Sequence, residues 1–270
     1  MDPRPIGFFD SGIGGVTSIP YIMRMLPSES IIFYGDTART PYGSKSPETI
    51  RQFSLQIGDF LAGEDVKMLV IACNTVSANA LDVLREAFPD IPVVGCINPT
   101  AREVVKLCSH GERIGIMATR ATVNAGTYAE KIHSLAPDLY LKQVACPAIV
   151  PLVEEGIVDH EIMDLTLRYY LDDFIAENRI DTLVLGCTHY PLIAPNLQRL
   201  YPGIRIISSA QELATAVKME LTDRDLLAPE REAKSRFYAS DLSDNFVRMI
   251  ERILGRDADE LEIYFKNLDI

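Results

Sequence analysis

The sequence lacks any apolar run approaching the roughly 18 residues that a membrane-spanning helix needs. No charged and apolar leader precedes its first apolar run, because Met1-Asp2-Pro3-Arg4-Pro5 leads into it almost at once. The expectation is a cytoplasmic protein with no membrane partner. Basic residues are also in short supply. Twenty-six Lys and Arg stand against 38 Asp and Glu, a formal charge of −12, which argues against nucleic acid, whose phosphates call for a basic surface. A small anionic ligand is not excluded, since its site can be locally positive or rich in backbone donors. Closely spaced cysteines are missing too. Cys73, Cys96, Cys108, Cys146 and Cys187 form an odd set without a CxxC pair, which disfavours a disulfide framework and a zinc site. In a reducing compartment they are free thiols, and a lone cysteine is ordinarily a small buried hydrophobe. Cys96, Cys108 and Cys146 are read that way.

What is present is a soluble globular composition, 47% hydrophobic and 24% charged, over 270 residues, a length suited to two domains. Short apolar runs alternate with longer segments of helical period. The runs are 6–9, 31–34, 68–72, 93–95, 114–118, 139–144, 182–186 and 204–207. Their lack of strict polar alternation suits strands covered on both faces, as in a parallel sheet. Between them, residues 159–178 make the clearest helix, with Met163, Leu167, Tyr170 and Phe174 on one face. The pattern is that of an α/β fold, in which ligands sit at the carboxyl ends of the strands.

Two strand ends look like copies of each other. Met68-Leu69-Val70-Ile71-Ala72-Cys73-Asn74-Thr75 leads to a helical segment expected near Ser77. Thr182-Leu183-Val184-Leu185-Gly186-Cys187-Thr188-His189 leads to a helix opened by Tyr190-Pro191. The cysteines lie 114 residues apart, so each can belong to its own half. The expected division is residues 1–95 with 209–270 as one α/β domain and 96–208 as the other, two facing units that bring the strand ends together. The polar stretch 223–232 leaves open whether the C-terminal segment returns to the first domain or begins an appendage.

A cysteine just before a helix feels unpaired amides and the positive end of the helix dipole, which favour thiolate and lower a pKa of about 8.5. Two such cysteines in related positions fit proton transfer to opposite faces of one carbon, where acid and base exchange roles with direction. The bland alternative is a pair of core cysteines that happen to end strands. Phe9-Asp10-Ser11-Gly12-Ile13-Gly14-Gly15 adds a carboxylate and a glycine-rich turn whose amides can approach an anion. Similar turns cradle nucleotide phosphates, so a nucleotide-binding module with structural cysteines is the reading from another class. Gly35-Asp36-Thr37 with Pro41-Tyr42-Gly43 reads as a further loop able to hold a carboxylate; alternatively Tyr42 is a turn residue packed at the surface. His189, two residues after Cys187, is a candidate to tune that thiol. The backbone amides of Ser11, Gly43 and Thr75, with the Asn74 and Thr188 side chains, are candidate donors to a carboxylate. Asp10 near Cys73 would oppose a thiolate, unless it binds an ammonium group or accepts the thiol proton.

Taken together, the blocks Asp10-Ser11-Gly12-Ile13-Gly14-Gly15, Tyr34-Gly35-Asp36, Pro41-Tyr42-Gly43, Ala72-Cys73-Asn74-Thr75, Pro151-Leu152-Val153-Glu154-Glu155-Gly156 and Gly186-Cys187-Thr188-His189-Tyr190-Pro191 resemble the aspartate/glutamate racemase superfamily, and its glutamate branch in particular. The resemblance implies two similar α/β domains with mainly parallel sheets, related by pseudo-two-fold symmetry, with the active site in the cleft between them. It further implies glutamate as substrate and no pyridoxal phosphate, other cofactor or metal. Cys73 and Cys187 become the two acid/base residues, with Asp10 and His189 assisting on opposite sides. Glu154 becomes a polar group near His189, with Glu155 the alternative. Asp10, Ser11, Pro41, Tyr42, Gly43, Asn74, Thr75, Thr188 and His189 become the substrate-binding set. The implied role is supply of D-glutamate for peptidoglycan. The oligomeric state stays open, with a homodimer among the options.

Overall fold

The computed structural model describes residues 1–108, 111–230, 234–255 and 261–268. Each expected apolar run forms a strand: β1 (Ile6–Asp10), β2 (Ile31–Gly35), β3 (Met68–Ile71), β4 (Val93–Gly95), β5 (Arg113–Ala118), β6 (Tyr140–Ala145), β7 (Thr182–Gly186) and β8 (Arg205–Ser208). Two further strands, β9 (Arg236–Ala239) and β10 (Glu262–Phe265), complete the set among the described residues. They assemble into a six-stranded sheet of order β10-β9-β2-β1-β3-β4 and a four-stranded sheet of order β6-β5-β7-β8. Every pairing is parallel. We call each sheet, with the helices on it, a lobe.

Strands buried on both faces explain the unbroken apolar runs. Along β1, Ile6 and Phe8 join the cluster between the lobes, and Phe9 points to the other side, the two-residue period of a strand. On that far side Ile50, Ile57 and Leu61 of helix Pro47–Gly63 cover Phe9, Ile32 and Ile71. In the second lobe, Val184 faces the shared cluster while Leu183 and Leu185 meet Met163, Leu167 and Leu171 of helix Glu161–Asn178. Tyr170 and Phe174, expected on the buried stripe, are its half-buried flank, and Leu171 is its third fully buried position. Each such side chain contributes ~1.5–3 kcal/mol on leaving water. His160 caps this helix by accepting from the Ile162 amide at 3.1 Å. No helix among the described residues is long and apolar enough to cross a membrane.

The chain passes between lobes twice, through helix Ile97–Leu107 and through helix Ser209–Asp223. Residues from both (Ala101, Val104, Leu213, Val217) share one apolar cluster with Phe8 and Val70 of one sheet and Ile114 and Ile116 of the other. The lobes therefore share a core. After the second crossing the chain adds β9 and β10 beside β2, so the C-terminal segment extends the first sheet; residues 231–233 lie outside the described set.

The repeat is visible in topology. Strands β2-β1-β3-β4 and β6-β5-β7-β8 occupy the same order in their sheets. The register pairs Phe9 with Ile71 in one and Met117 with Leu185 in the other. Cys73 and Cys187, each two residues beyond Ile71 and Leu185, stand at equivalent strand ends.

Beneath the first sheet, the Lys67 ammonium, its side chain fully buried, sits 2.6 Å from Glu29 Oε2 and donates to the carbonyls of Asp2 and Leu226 at 2.8 and 2.7 Å. That one group ties the N-terminus and the segment after the second crossing helix to the start of β3. Replacing one member of a buried pair strands the other's charge, at about 3–5 kcal/mol. Lys67→Met, which keeps most of the volume, is expected to lower unfolding stability in urea by that amount; a change under ~1 kcal/mol would show that the pair does not hold these segments.

Candidate active site

Every sequence-derived candidate except Glu155 comes to the junction of the two lobes. Cys73 is the N-cap of helix Asn74–Asn79, which begins directly after it and not near Ser77. Its Sγ donates to Ser11 Oγ, beyond the end of β1, at 3.3 Å. Cys187 follows β7, and its Sγ lies 3.8 Å from His189 Nδ1. The next element is a 3-10 turn, Tyr190–Ile193, with the α-helix starting only at Ala194. On its other side the His189 ring meets Glu154, Nε2 to Oε1 at 3.0 Å. Glu155 is exposed, because the helix Ile149–Glu154 that aims Glu154 inward ends there.

Asp10 is fully buried and accepts from the Gly12 amide at 3.1 Å and from Thr188 Oγ1, across the lobe junction, at 3.2 Å. The glycine turn permits this crowding. A Cβ on Gly14 would fall 2.4 Å from Thr188 Oγ1 and 2.6 Å from His189 Nδ1, and one on Gly15 would fall 2.6 Å from Asp10 Cβ. The turn thus packs against the second lobe's polar residues; no open phosphate cradle forms there.

Ser11, Thr40, Pro41, Tyr42, Gly43, Cys73, Asn74, Thr75, Thr119, Val150, Cys187, Thr188 and His189 enclose one small space of about 10 Å³. That is room for about one water, so a substrate enters only if the lobes part. A cavity of about 630 Å³ shares none of these residues and lies by the two crossing helices.

Thr119, Thr40 and Val150 went unrecognised in the sequence. The repeat would have found Thr119: with Phe9 equivalent to Met117, it is the counterpart of Ser11. The hydroxyls of Thr75, Thr119 and Thr122 form a closed triangle with sides of 2.9, 3.3 and 2.9 Å. Gly43 lies against it, and a Cβ there would come 2.6 Å from Thr119 Cβ.

One alternative falls and one expectation changes. Tyr42 is buried, not packed at the surface, and its hydroxyl donates to Asp36, which also accepts from Arg39 Nε at 2.7 Å and Ser240 Oγ at 2.8 Å. The change concerns the thiol of Cys73, expected to be lowered. Burial pushes it up well above the ordinary range, the Asp10 charge adds to this, and the Ser11 hydroxyl and Val76 amide only partly oppose it. Complete desolvation outweighs the dipole of a six-residue helix.

Burial likewise raises Asp10, against the nearby His189 and the donors Gly15, Thr188 and Gly12. Burial alone would lower His189, but hydrogen bonds to Cys187 and Glu154 overcome it and push the imidazole up to about 10. The Asn74 amide is fixed on both sides, accepting from Tyr128 Oη at 2.6 Å and donating to Ser209 Oγ at 3.4 Å. Cys96, Cys108 and Cys146 are free and buried away from this space.

Against known proteins, a family model described as Asp/Glu/Hydantoin racemase matches residues 21–217. The chain is 44% identical over 261 residues to a glutamate racemase of Neisseria gonorrhoeae, covering 96% of each. It is 43% identical over 257 residues to one of Geobacter metallireducens, covering 94% of each. Its fold is similar to that of a glutamate racemase from Francisella tularensis solved in complex with D-glutamate, with a TM-score of 0.92 and 36% identity over 100% of this chain and 99% of that one. With two equivalent parallel lobes and a cysteine from each in one enclosed space, the chain belongs to the Asp/Glu/Hydantoin racemase family and is an isomerase.

Proposed function

We propose that the protein interconverts L- and D-glutamate by moving the α-proton between Cys73 and Cys187, without cofactor or metal. The observation that carries this reading is the pair of thiols, one from each of two equivalent strand ends, lining the same enclosed space. Glutamate as substrate is supported by relatives at 44% identity that are glutamate racemases.

In this mechanism one sulfur, as thiolate, takes the α-proton, and the thiol on the opposite face delivers its own proton to the carbanion. Each turnover leaves the two sulfurs with exchanged protonation states, so no net proton is consumed and the reverse reaction uses the same pair. Burial favours the thiol form of Cys73, so in one direction Cys73 delivers the proton while Cys187, with the His189–Glu154 pair beside it, removes the α-proton. In the reverse direction the roles exchange. The α-carbon of a zwitterionic amino acid is a far weaker acid than a thiol, so the barrier must fall through donors preset around the carboxylate in a space closed to water. The backbone amides of Ser11, Gly43 and Thr75 and the Thr75–Thr119 hydroxyls suit that task. Thr188 and Asn74 are already engaged, and they hold Asp10 and the lobe junction in place. Asp10 suits the substrate ammonium or the proton of Cys73. The product fits D-glutamate supply for peptidoglycan in the cytoplasm.

Cys73→Ala and Cys187→Ala are each expected to cut kcat by ~10²–10⁴-fold with an unchanged circular dichroism spectrum, since neither thiol can reach the other face. Racemisation by either variant at more than a few per cent of the normal rate would end the two-base reading.

Among the described residues no three His, Cys, Asp or Glu side chains are grouped to hold a metal. Activity is expected to survive exhaustive dialysis against EDTA, and the protein to show no pyridoxal absorbance. Loss of activity restored only by a divalent ion would refute the metal-free mechanism.

Starting from L-glutamate in D₂O, D-glutamate formed in the earliest turnovers is expected to carry deuterium at Cα, because the delivering thiol has already exchanged with solvent. Recovered L-glutamate stays mostly protium at that stage. Substantial protium in early D-glutamate, measured by mass spectrometry of the separated enantiomers, would indicate one base serving both faces.

A further inference from the structure

Outside the enclosed space, a cavity of about 400 Å³ lies against the lobe junction and is lined in part by Thr40, Glu154, Asn245 and Arg248. Glu154 stands between the two spaces and is held from both lobes. Its Oε1, which meets His189 Nε2 at 3.0 Å in the second lobe, also accepts from Thr40 Oγ1 of the first at 3.4 Å. Its backbone carbonyl accepts from the side-chain amide of Asn245, again from the first lobe.

Asn245 is a firmly mounted donor. It is the second residue of helix Asp244–Leu254, whose Ser243 cap accepts from the Phe246 amide at 3.2 Å and whose Phe246 and Ile250 are buried in the shared core. The loop bearing Thr40 is tied to the same segment. Thr37 Oγ1 donates to the Asp241 carbonyl at 2.6 Å and accepts from the Asp241 amide at 2.8 Å, while Ser240 braces Asp36. Both groups that grip Glu154 thus belong to one connected unit of the first lobe.

We propose that Asn245 is a positioning residue: by holding the Glu154 backbone across the lobe junction, it seats the Glu154 carboxylate on His189 only when the lobes are closed, so that the proton relay beside Cys187 is complete only around an enclosed substrate. This rests on the reading of His189 and Glu154 as partners of Cys187 given above. The titratable groups facing His189 are Cys187 and Glu154 from its own lobe and Asp10 from the other; Arg248, Glu155 and Asp241 face the outer cavity. Cys187 and Glu154 both raise the imidazole. Loosening Glu154 removes part of that support, and the protonated imidazole then loses its proton at lower pH.

The test is kcat/KM against pH, from 7 to 11, for the full-length enzyme carrying Asn245→Ala, in the wild-type and in the Glu154→Gln backgrounds. The apolar Asn245→Leu variant serves if Ala at this position fails to fold. In the wild-type background we expect a fall of about tenfold, the scale set by small misplacements of catalytic groups, and an alkaline limb displaced to lower pH. In the Glu154→Gln background the same change is expected to cost less than about twofold, since residues acting through one another are not additive. An equal loss in both backgrounds, or a loss with the limb unmoved, would overturn the proposal and leave Asn245 a merely structural contact. Glu154→Gln alone racemising at the wild-type rate would remove the relay itself, an outcome read separately from the effect of Asn245.

Discussion

Inverting a tetrahedral carbon with two separate groups requires an acid and a base facing it from opposite sides. A single sheet presents all its strand ends on one edge and cannot supply both. Two sheets of the same strand order, facing across a junction, can. Here strand order 2-1-3-4 recurs as 6-5-7-8, and the cysteine that follows the third strand of each set arrives at the shared space from its own side. The lobe junction is where the two cysteines meet. Its hydrogen bonds run across it: Thr188 to Asp10, Thr75 to Thr119, Tyr128 to Asn74.

The same closure that excludes water works against ionising a thiol. Cys73 is buried, and the cost of placing a charge there exceeds what Ser11 and one backbone amide return. The two halves meet this in different ways. At the position where the first lobe carries Asp10, the second carries Ala118, while the second places His189 and Glu154 beside its own cysteine. A backbone repeat with unlike helpers gives the two sulfurs unlike surroundings, a buried carboxylate on the Cys73 side and an imidazole–carboxylate pair beside Cys187. Under the proposed two-base reading that asymmetry is useful, because a pair of thiols or a pair of thiolates would both be idle.

The strands were legible because burial on both faces leaves an unbroken apolar run, as in Ile6–Phe9 and Met68–Ile71. Strand β9 was not, since buried Phe237 and Ala239 alternate with partly exposed Arg236 and Tyr238 over only four residues. Strand β10, at the sheet edge, keeps Glu262, Tyr264 and Phe265 exposed. The cysteines stood out through their repeated neighbours. Thr40 and Val150 had no such signal, because Thr40 enters the site on a loop whose path depends on the Asp36 network, and Val150 enters on the short helix Ile149–Glu154. The direction of the Cys73 shift was illegible for a related reason. A helix start can be read from sequence, but depth of burial belongs to the assembled lobes.

Closure also has to be reversible, and the shared core limits how. With about 10 Å³ between the cysteines, no amino acid can bind until the lobes separate. Pulling them straight apart would expose Phe8, Val70, Ile114 and Ile116 together with the crossing helices, at ~25 cal/mol per Å² of apolar surface. Rotation about helices Ile97–Leu107 and Ser209–Asp223 would keep that cluster packed and open only the polar side. Opening there breaks only a few hydrogen bonds, each of ~0.5–1.5 kcal/mol net. An apolar core and a polar mouth are thus complementary: the crossing helices share the packed cluster, and the hydrogen bonds to Asp10, Thr75 and Glu154 hold the polar side closed.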